Sequence, residues 1–353
     1  MGKPLPHIGL LGLGRTGRAL FRLLSDREDI LLAAVSDPAD RHALAYLLRF
    51  DTDLGRLAAP LALAGDDLEV GGRRVHLLPA AKTPASLDAP QAPQDIAWGD
   101  LGIDTVIDAT GKPRRRAEVE RHLAAGARRV ILCSPPADAP DITVALGAND
   151  GDLRAEHRIV ACASPTVHAA APAVMLLAQE FGIRRAFLTA VEAYGAEQRL
   201  ADVPDDDARR GRAAAENIIP QHLAAVAVLE GVLPALRGKV TGLGMHVPVP
   251  DGSALDLVCW HDRPVTVETV NDVLRAAAAA PRWAGVLEYE EAPIVSSDIL
   301  RRGFSATFDS LATMVLAGNV SKTLTWFDSA WGYAHRVVDL IRRFQTIDSQ
   351  ERP

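Results

Sequence analysis

The chain has 353 residues, with 38 Lys and Arg against 45 Asp and Glu, a net charge of −7. At 48% hydrophobic and 24% charged it has the make-up of a soluble globular protein long enough for two domains. The acidic balance argues against a nucleic-acid partner, and no apolar run nears the roughly 20 residues a membrane helix needs.

In chain order, Ile8–Leu11 reads as a strand, Gly17–Leu24 as a helix and Leu31–Val35 as a second strand. Ile8–Leu11 runs into a glycine turn and not into a cleavage site, so no signal peptide is expected. Leu54–Gly72 and Ala80–Asp95, rich in Pro, Ala and Asp, are expected to carry hairpins and loops. Thr105–Ile107, the amphipathic stretch Arg116–Ala124 and Val130–Cys133 complete a βαβ pattern that implies a parallel sheet. Arg114-Arg115-Arg116 reads as a solvated start to its helix. Asp205-Asp206-Asp207, followed by Arg209-Arg210, reads as a solvated loop or a source of intersubunit ion pairs. The texture changes near Ser164. A helix over Pro165–Glu180 precedes strands at Arg185–Tyr194, Val240–Val249, Leu255–His261 and Lys322–Phe327, set around helices near Asn217–Leu233 and Val265–Ala279. That pattern predicts an α+β domain with a large, mostly antiparallel sheet. The final helix, Ala334–Phe344, has the apolar period to pack on the first domain, ahead of a polar, frayed tail, Thr346–Pro353.

Gly12-Leu13-Gly14-Arg15-Thr16-Gly17 follows a strand and opens a helix. The first glycine permits a tight turn, the second lets backbone approach a pyrophosphate, and the third lets helix pack on strand. The helix start then presents N–H groups and a partial positive charge to phosphate. Asp37 ends the second strand 20 residues beyond Gly17, the place of an acid that accepts from ribose hydroxyls. An acid there repels a ribose phosphate, so NAD is favoured over NADP. Cys133, Cys162 and Cys259 form no Cys-x-x-Cys pair and no His-Glu-x-x-His occurs. Neither a disulfide framework nor a standard metal motif is expected, and a cytoplasmic setting is.

Gly12–Arg18, Ala34–Pro38, Ala45–Asp51, Ala109–Gly111, Ile159–Ala163, Arg212–Pro220, Gly238–Gly242, Val247–Ser253, Val295–Asp298 and Trp331–Leu340 together resemble the phosphorylating glyceraldehyde-3-phosphate dehydrogenase family over nearly the whole chain. The resemblance implies a Rossmann NAD-binding domain over 1–164, completed by the C-terminal helix of 329–353, and a substrate and tetramerisation domain over 165–328. It also implies a homotetramer in which the loop Leu200–Arg212 borders a neighbour's cofactor. Arg15, Thr16, Thr110, Gly111 and Cys133 then fall at cofactor positions, and Ser329 stands where the family has the asparagine that holds the nicotinamide amide.

The family's reaction needs a thiolate that attacks an aldehyde and a histidine that activates it. Its motif Asn-Ala-Ser-Cys-Thr-Thr-Asn-Cys is here Cys162-Ala163-Ser164-Pro165-Thr166-Val167-His168-Ala169, so Pro165 occupies the nucleophile position. Ser164 can still cap the helix, with Pro165 its favoured first residue. The base histidine of Val-His-Ala-Tyr is Glu192, and Thr-Ala-Thr is Gly195-Ala196-Glu197. The phosphate-binding arginine is His246. Ser164 and Thr166 survive from the inorganic-phosphate cradle, while its Thr-Gly pair is Leu223-Ala224; Gln198 is retained. Glu192, Glu197, His168, His222 and His246 thus fall at or beside substrate-facing positions.

These replacements predict an NAD-dependent oxidoreductase that passes hydride directly, with Glu192 as proton acceptor and Ser164, Thr166, His246 and Glu197 around a small substrate. A carboxylate at 197 and no arginine at 246 disfavour phosphate and suit a neutral, polyhydroxylated or cationic molecule. The alternatives are a pseudoenzyme that binds NAD without catalysis, a zinc site of Glu197, His222 and His246, and Cys162 as a substitute nucleophile.

Overall fold

The computed structural model describes residues 5–79, 96–195 and 198–350. Ala80–Asp95 and Glu197, both interpreted above from sequence, lie outside the described residues. Short apolar runs make the first set of strands: β1 (His7–Leu11), β2 (Leu31–Asp37), β3 (Phe50–Asp51), β4 (Gly55–Arg56), β5 (Leu61–Ala64), β6 (Asp67–Val70), β7 (Arg73–Pro79), β8 (Thr105–Asp108), β9 (Arg129–Leu132), β10 (Ile142–Val144) and β11 (Ile159–Cys162). Helices α1 (Arg15–Ser25), α2 (Arg41–Arg49) and α3 (Arg116–Ala124) connect them. Nine form one sheet in the order β10-β11-β9-β8-β1-β2-β7-β6-β5. Pairing is parallel from β10 to β7 and antiparallel across the hairpins β7-β6-β5. Near-continuous apolar runs suit strands covered on both faces, and Ile8, Leu10, Val106, Ile107, Val130 and Ile131 are all buried. Gly9 leaves room for the Trp98 indole, which a Cβ there would meet at 2.7 Å.

Two compact units divide the chain. The first takes residues up to Val144, Asp152–Ala163 and everything from Ala334 on; the second takes Ala145–Gly151 and Ser164–Tyr333. The last helix is longer than its sequence suggests, running from Trp331 to Gln350. Polar residues in its final turns are anchored rather than frayed: Asp348 accepts from both Arg128 and Arg129, and Arg342 pairs with Asp29. The Arg129 guanidinium also lies 3.9 Å from the Phe344 ring centroid.

The second unit is built on α4 (Pro165–Phe181), β12 (Arg185–Ala193), β13 (Ile219–His222), α5 (Ala225–Val232), β14 (Val240–Val247), β15 (Ser253–Trp260), α6 (Val267–Ala278), β16 (Leu287–Glu290), β17 (Ala306–Leu316) and β18 (Val320–Phe327), with the helix from Trp331 numbered α7. Its sheet runs β13-β14-β12-β15-β18-β17-β16. Four of the six pairings are antiparallel; β12-β14 and β16-β17 are parallel. The helix expected near Asn217–Leu233 is in fact the edge strand β13 followed by the shorter α5. Residues 219–222 instead pair with β14, which leaves only Ala225–Val232 to form a helix. Sequence reading also left out β16 and β17. At its start α4 is capped by Ser164, whose hydroxyl accepts from the Val167 N–H, with Pro165 in the first turn. It ends at Gly182, whose φ of +69° and closeness to the Asp262 side chain exclude a Cβ.

Candidate functional site

The first unit carries the glycine turn between β1 and α1. Gly12 has φ +83°, and a Cβ on it would lie 2.7 Å from the Thr110 Cα. One on Gly17 would lie 1.9 Å from the Gly12 carbonyl oxygen, so backbone meets backbone with no space to yield. Gly14 differs: a Cβ there would meet nothing within 4 Å. Its bareness serves no contact among the described residues and fits approach by a ligand. Helix α1 begins at Arg15 and Thr16 with no acid in its first turn and no side-chain cap, so its positive end remains available to an anion.

Asp37, the last residue of β2, closes the turn. One carboxylate oxygen accepts from the Leu13 N–H at 2.7 Å and the other from Ala39 at 3.0 Å. An ionised carboxylate has further acceptor capacity for ribose hydroxyls. Thr110 and Gly111 follow β8 in a turn held by Asp108, which accepts from the Thr110 N–H and hydroxyl. Asp108 also pairs with Arg114 at 2.9 Å, where the two side chains are 4% and 6% exposed. Arg114 therefore departs from the solvated face expected of its arginine run; only Arg115 and Arg116 are found on the surface or near it. Cys133 lies just past β9, half-buried, its N–H donating to the Asp108 carbonyl.

In the second unit the candidates Thr166, Glu192, Gln198 and His246 come together around the end of β12. Glu192 is half-buried and both its oxygens have donors: the Thr166 hydroxyl at 2.5 Å from the start of α4, and the Gln221 amide at 2.9 Å from β13. His246 is its register partner on β14. Gln198 accepts from the Gly195 N–H at 2.6 Å through its amide oxygen, so its NH₂ group faces His246 Nε2 at 3.1 Å. His246 Nε2 therefore acts as acceptor and the proton sits on Nδ1, toward the Ala193 carbonyl. This tautomer follows from the hydrogen-bond network.

Other residues do not join this group. His168 is buried on α4 against the Ser164 carbonyl and the Tyr333 ring, in place of the substrate-facing position that resemblance suggested. His222 is exposed and stands opposite Leu243, three register steps from the Ile219–His246 pair, so His222 and His246 project from opposite faces. Among the described residues no cluster of three metal-ligating side chains occurs. Cys162 is buried at the end of β11 and Cys259 is buried within β15, where desolvation pushes its thiol up to about 12. Ser329 is half-buried beside Asp328, which caps α7 by accepting from the Ala330 and Trp331 N–H groups. Sequence reading missed Gln221 and the Asp108–Arg114 pair. Only a register that placed 219–222 as a strand would have pointed Gln221 at Glu192.

The family model of the glyceraldehyde 3-phosphate dehydrogenase NAD binding domain matches residues 6–116, and that of the C-terminal domain matches 164–329. The chain belongs to the glyceraldehyde-3-phosphate dehydrogenase family. It is similar to glyceraldehyde-3-phosphate dehydrogenase 2 of Streptomyces avermitilis, 42% identical over 95% of this chain and 97% of that protein. It is likewise similar to the glyceraldehyde-3-phosphate dehydrogenases of Streptomyces coelicolor (43%, over 95% and 97%) and Geobacillus stearothermophilus (41%, over 94% and 96%). As a family member it is an NAD-binding oxidoreductase with a Rossmann domain and an α+β domain. Residues of the glycine turn fit NAD: open space at Gly14, an uncapped helix start and Asp37 fixed beside Leu13.

Proposed function

We propose that this family member oxidises or reduces a small substrate other than glyceraldehyde 3-phosphate by direct hydride transfer, without a thioester stage. The observation that carries the reading is Glu192, held by Thr166 and Gln221 at the position matched to the family's base histidine. Pro165, matched to the nucleophile, has no reactive side chain and serves as the first residue of α4. Identity above 40% to named dehydrogenases supports the shared scaffold and cofactor; it does not supply a nucleophile where the side chain is a proline ring.

Bound NAD supplies the hydride acceptor. Gly12, Gly14, Gly17 and the start of α1 would hold its phosphates and Asp37 its ribose, with Thr110, Gly111, Cys133 and Ser329 as further cofactor residues. Glu192 takes the proton from a substrate hydroxyl or amine as the adjacent C–H bond gives up its hydride, with both carboxylate oxygens already aimed by their donors. Ser164, Thr166, His246 and Glu197 orient the substrate. His246 in place of an arginine disfavours a phosphorylated one. The domain division at 164/165, a cytoplasmic setting and a homotetramer belong to the same proposal, on the strength of the resemblance. A pseudoenzyme is the second reading, favoured by Pro165 and weighed against by the polar, hydrogen-bonded site around Glu192.

The test is Glu192→Gln in a nicotinamide absorbance assay against small alcohols, hydroxy acids and amines. Turnover should fall at least about 100-fold, the usual contribution of a general base, with NAD affinity unchanged. Full activity in that variant removes Glu192 from the mechanism.

A further inference from the structure

Gln221 reaches Glu192 by an unusual route. It sits on the edge strand β13, whose neighbour is β14, and Glu192 is one strand further in on β12. In register Gln221 stands opposite Gly244, and Gly244 stands opposite Ala190. Counting by twos places Gln221, Gly244, His246, Ala190 and Glu192 on one face of the sheet. A side chain on β13 can cross β14 on that face only where β14 offers nothing in the way. Gly244 is that place: it is buried, and a Cβ on it would lie 2.9 Å from Gln221 Cγ and 3.2 Å from Nε2.

We infer that Gln221 is a positioning residue for Glu192 and that Gly244 is the gap through which it acts. The inference rests on Glu192 as proton acceptor and deepens that reading. Thr166 fixes one oxygen from the helix and Gln221 fixes the other from the sheet edge. A carboxylate held at both oxygens has a single orientation, whereas one held only by Thr166 can swing about that bond. Loss of a hydrogen bond to a charged group shows as about tenfold or more in an equilibrium or rate.

Gly244 supplies the control. The atoms that an added methyl group would meet belong to the flexible Gln221 side chain, so Gly244→Ala should displace the amide while the strand stays in place. Gly244→Ala and Gln221→Leu should then have the same effect, and the double variant no more than either alone. A purely structural role for the two positions gives separate, additive losses instead.

Two readouts test this on the full chain supplied with NAD. In ¹⁵N spectra the Gln221 side-chain NH₂ pair is identified as the signal lost in Gln221→Leu. Glu192→Gln and Gly244→Ala should each shift that pair and speed its exchange with solvent. A Gln221 signal that responds to neither overturns the inference, whether or not a substrate has been found. In the absorbance assay, Gln221→Leu should lower kcat about tenfold with KM little changed, and adding Gly244→Ala should leave kcat where it is. A large loss in Glu192→Gln with none in Gln221→Leu rejects Gln221 and keeps Glu192 as base. Full activity in Glu192→Gln rejects the base itself, and with it any positioning role for Gln221.

Discussion

The glycine turn of the first unit and the carboxylate site of the second are built from different materials. Gly12, Gly14 and Gly17 act through what their side chains lack, and the surfaces they shape are backbone. Around Glu192 the hydrogen bonds come from side chains, the Thr166 hydroxyl and the Gln221 amide, with His246 its register partner on β14. A backbone site is specified by three residues in one short segment and tolerates change around it. A side-chain site draws Thr166, Glu192, Gln221 and His246 from four distant stretches, and each can change alone. On the proposed reading, the turn keeps its cofactor while the pocket is refitted for another substrate.

The sharpest way to break that contrast is at Gly17. Gly17→Ala puts a Cβ 1.9 Å from the Gly12 carbonyl oxygen, a clash that only a shift of α1 against β1 can relieve. The expected loss is on the order of 4 kcal/mol of stability, the range of severe single changes, with NAD binding abolished in calorimetry. Retained binding would mean that the turn adapts far more than its packing allows.

A smaller effect comes from beneath the same sheet. The buried His122 on α3 accepts from the Trp98 indole at 3.0 Å. Desolvation pushes its pKa from 6.5 down to about 4, helped by Arg114 and opposed by Asp108. The unfolded chain thus binds a proton below pH 6.5 that the folded chain refuses until about pH 4. This part of the stability is complete above pH 6.5 and is lost as pH falls through that window, by about 3 kcal/mol in full. Denaturant titrations at pH 7 and 4.5 should show the slope in the native chain and a flatter one in His122→Gln, which keeps an acceptor for Trp98.

Asp37 gives the smallest expected change. Asp37→Ala removes an acceptor for the ribose and the partner of the Leu13 N–H. NAD should bind about tenfold more weakly, and its advantage over NADP should narrow. An unchanged preference places the selectivity elsewhere.

How much of this was legible beforehand follows the same division. The turn could be read residue by residue because its spacing, its flanking strand and Asp37 fall within one βαβ unit. The helix start at Ser164-Pro165 was equally local. Long-range pairing was not legible. Residues 219–222 look no different from a helix start until β14 is beside them, so Gln221 escaped notice. Arg114 read as surface because its neighbours Arg115 and Arg116 are charged too; only the position of Asp108 at the end of β8 takes it inside. At the C-terminus Asp348 looked frayed because its partners, Arg128 and Arg129, are far away in sequence.

The most direct test of the account supplies the purified protein with NAD, glyceraldehyde 3-phosphate and phosphate and follows nicotinamide absorbance before and after thiol alkylation. No turnover is expected in either sample, with NAD binding confirmed by calorimetry on the same preparation. Robust turnover abolished by alkylation would contradict it, since Cys162 or Cys133 would then be supplying the thiolate that Pro165 cannot.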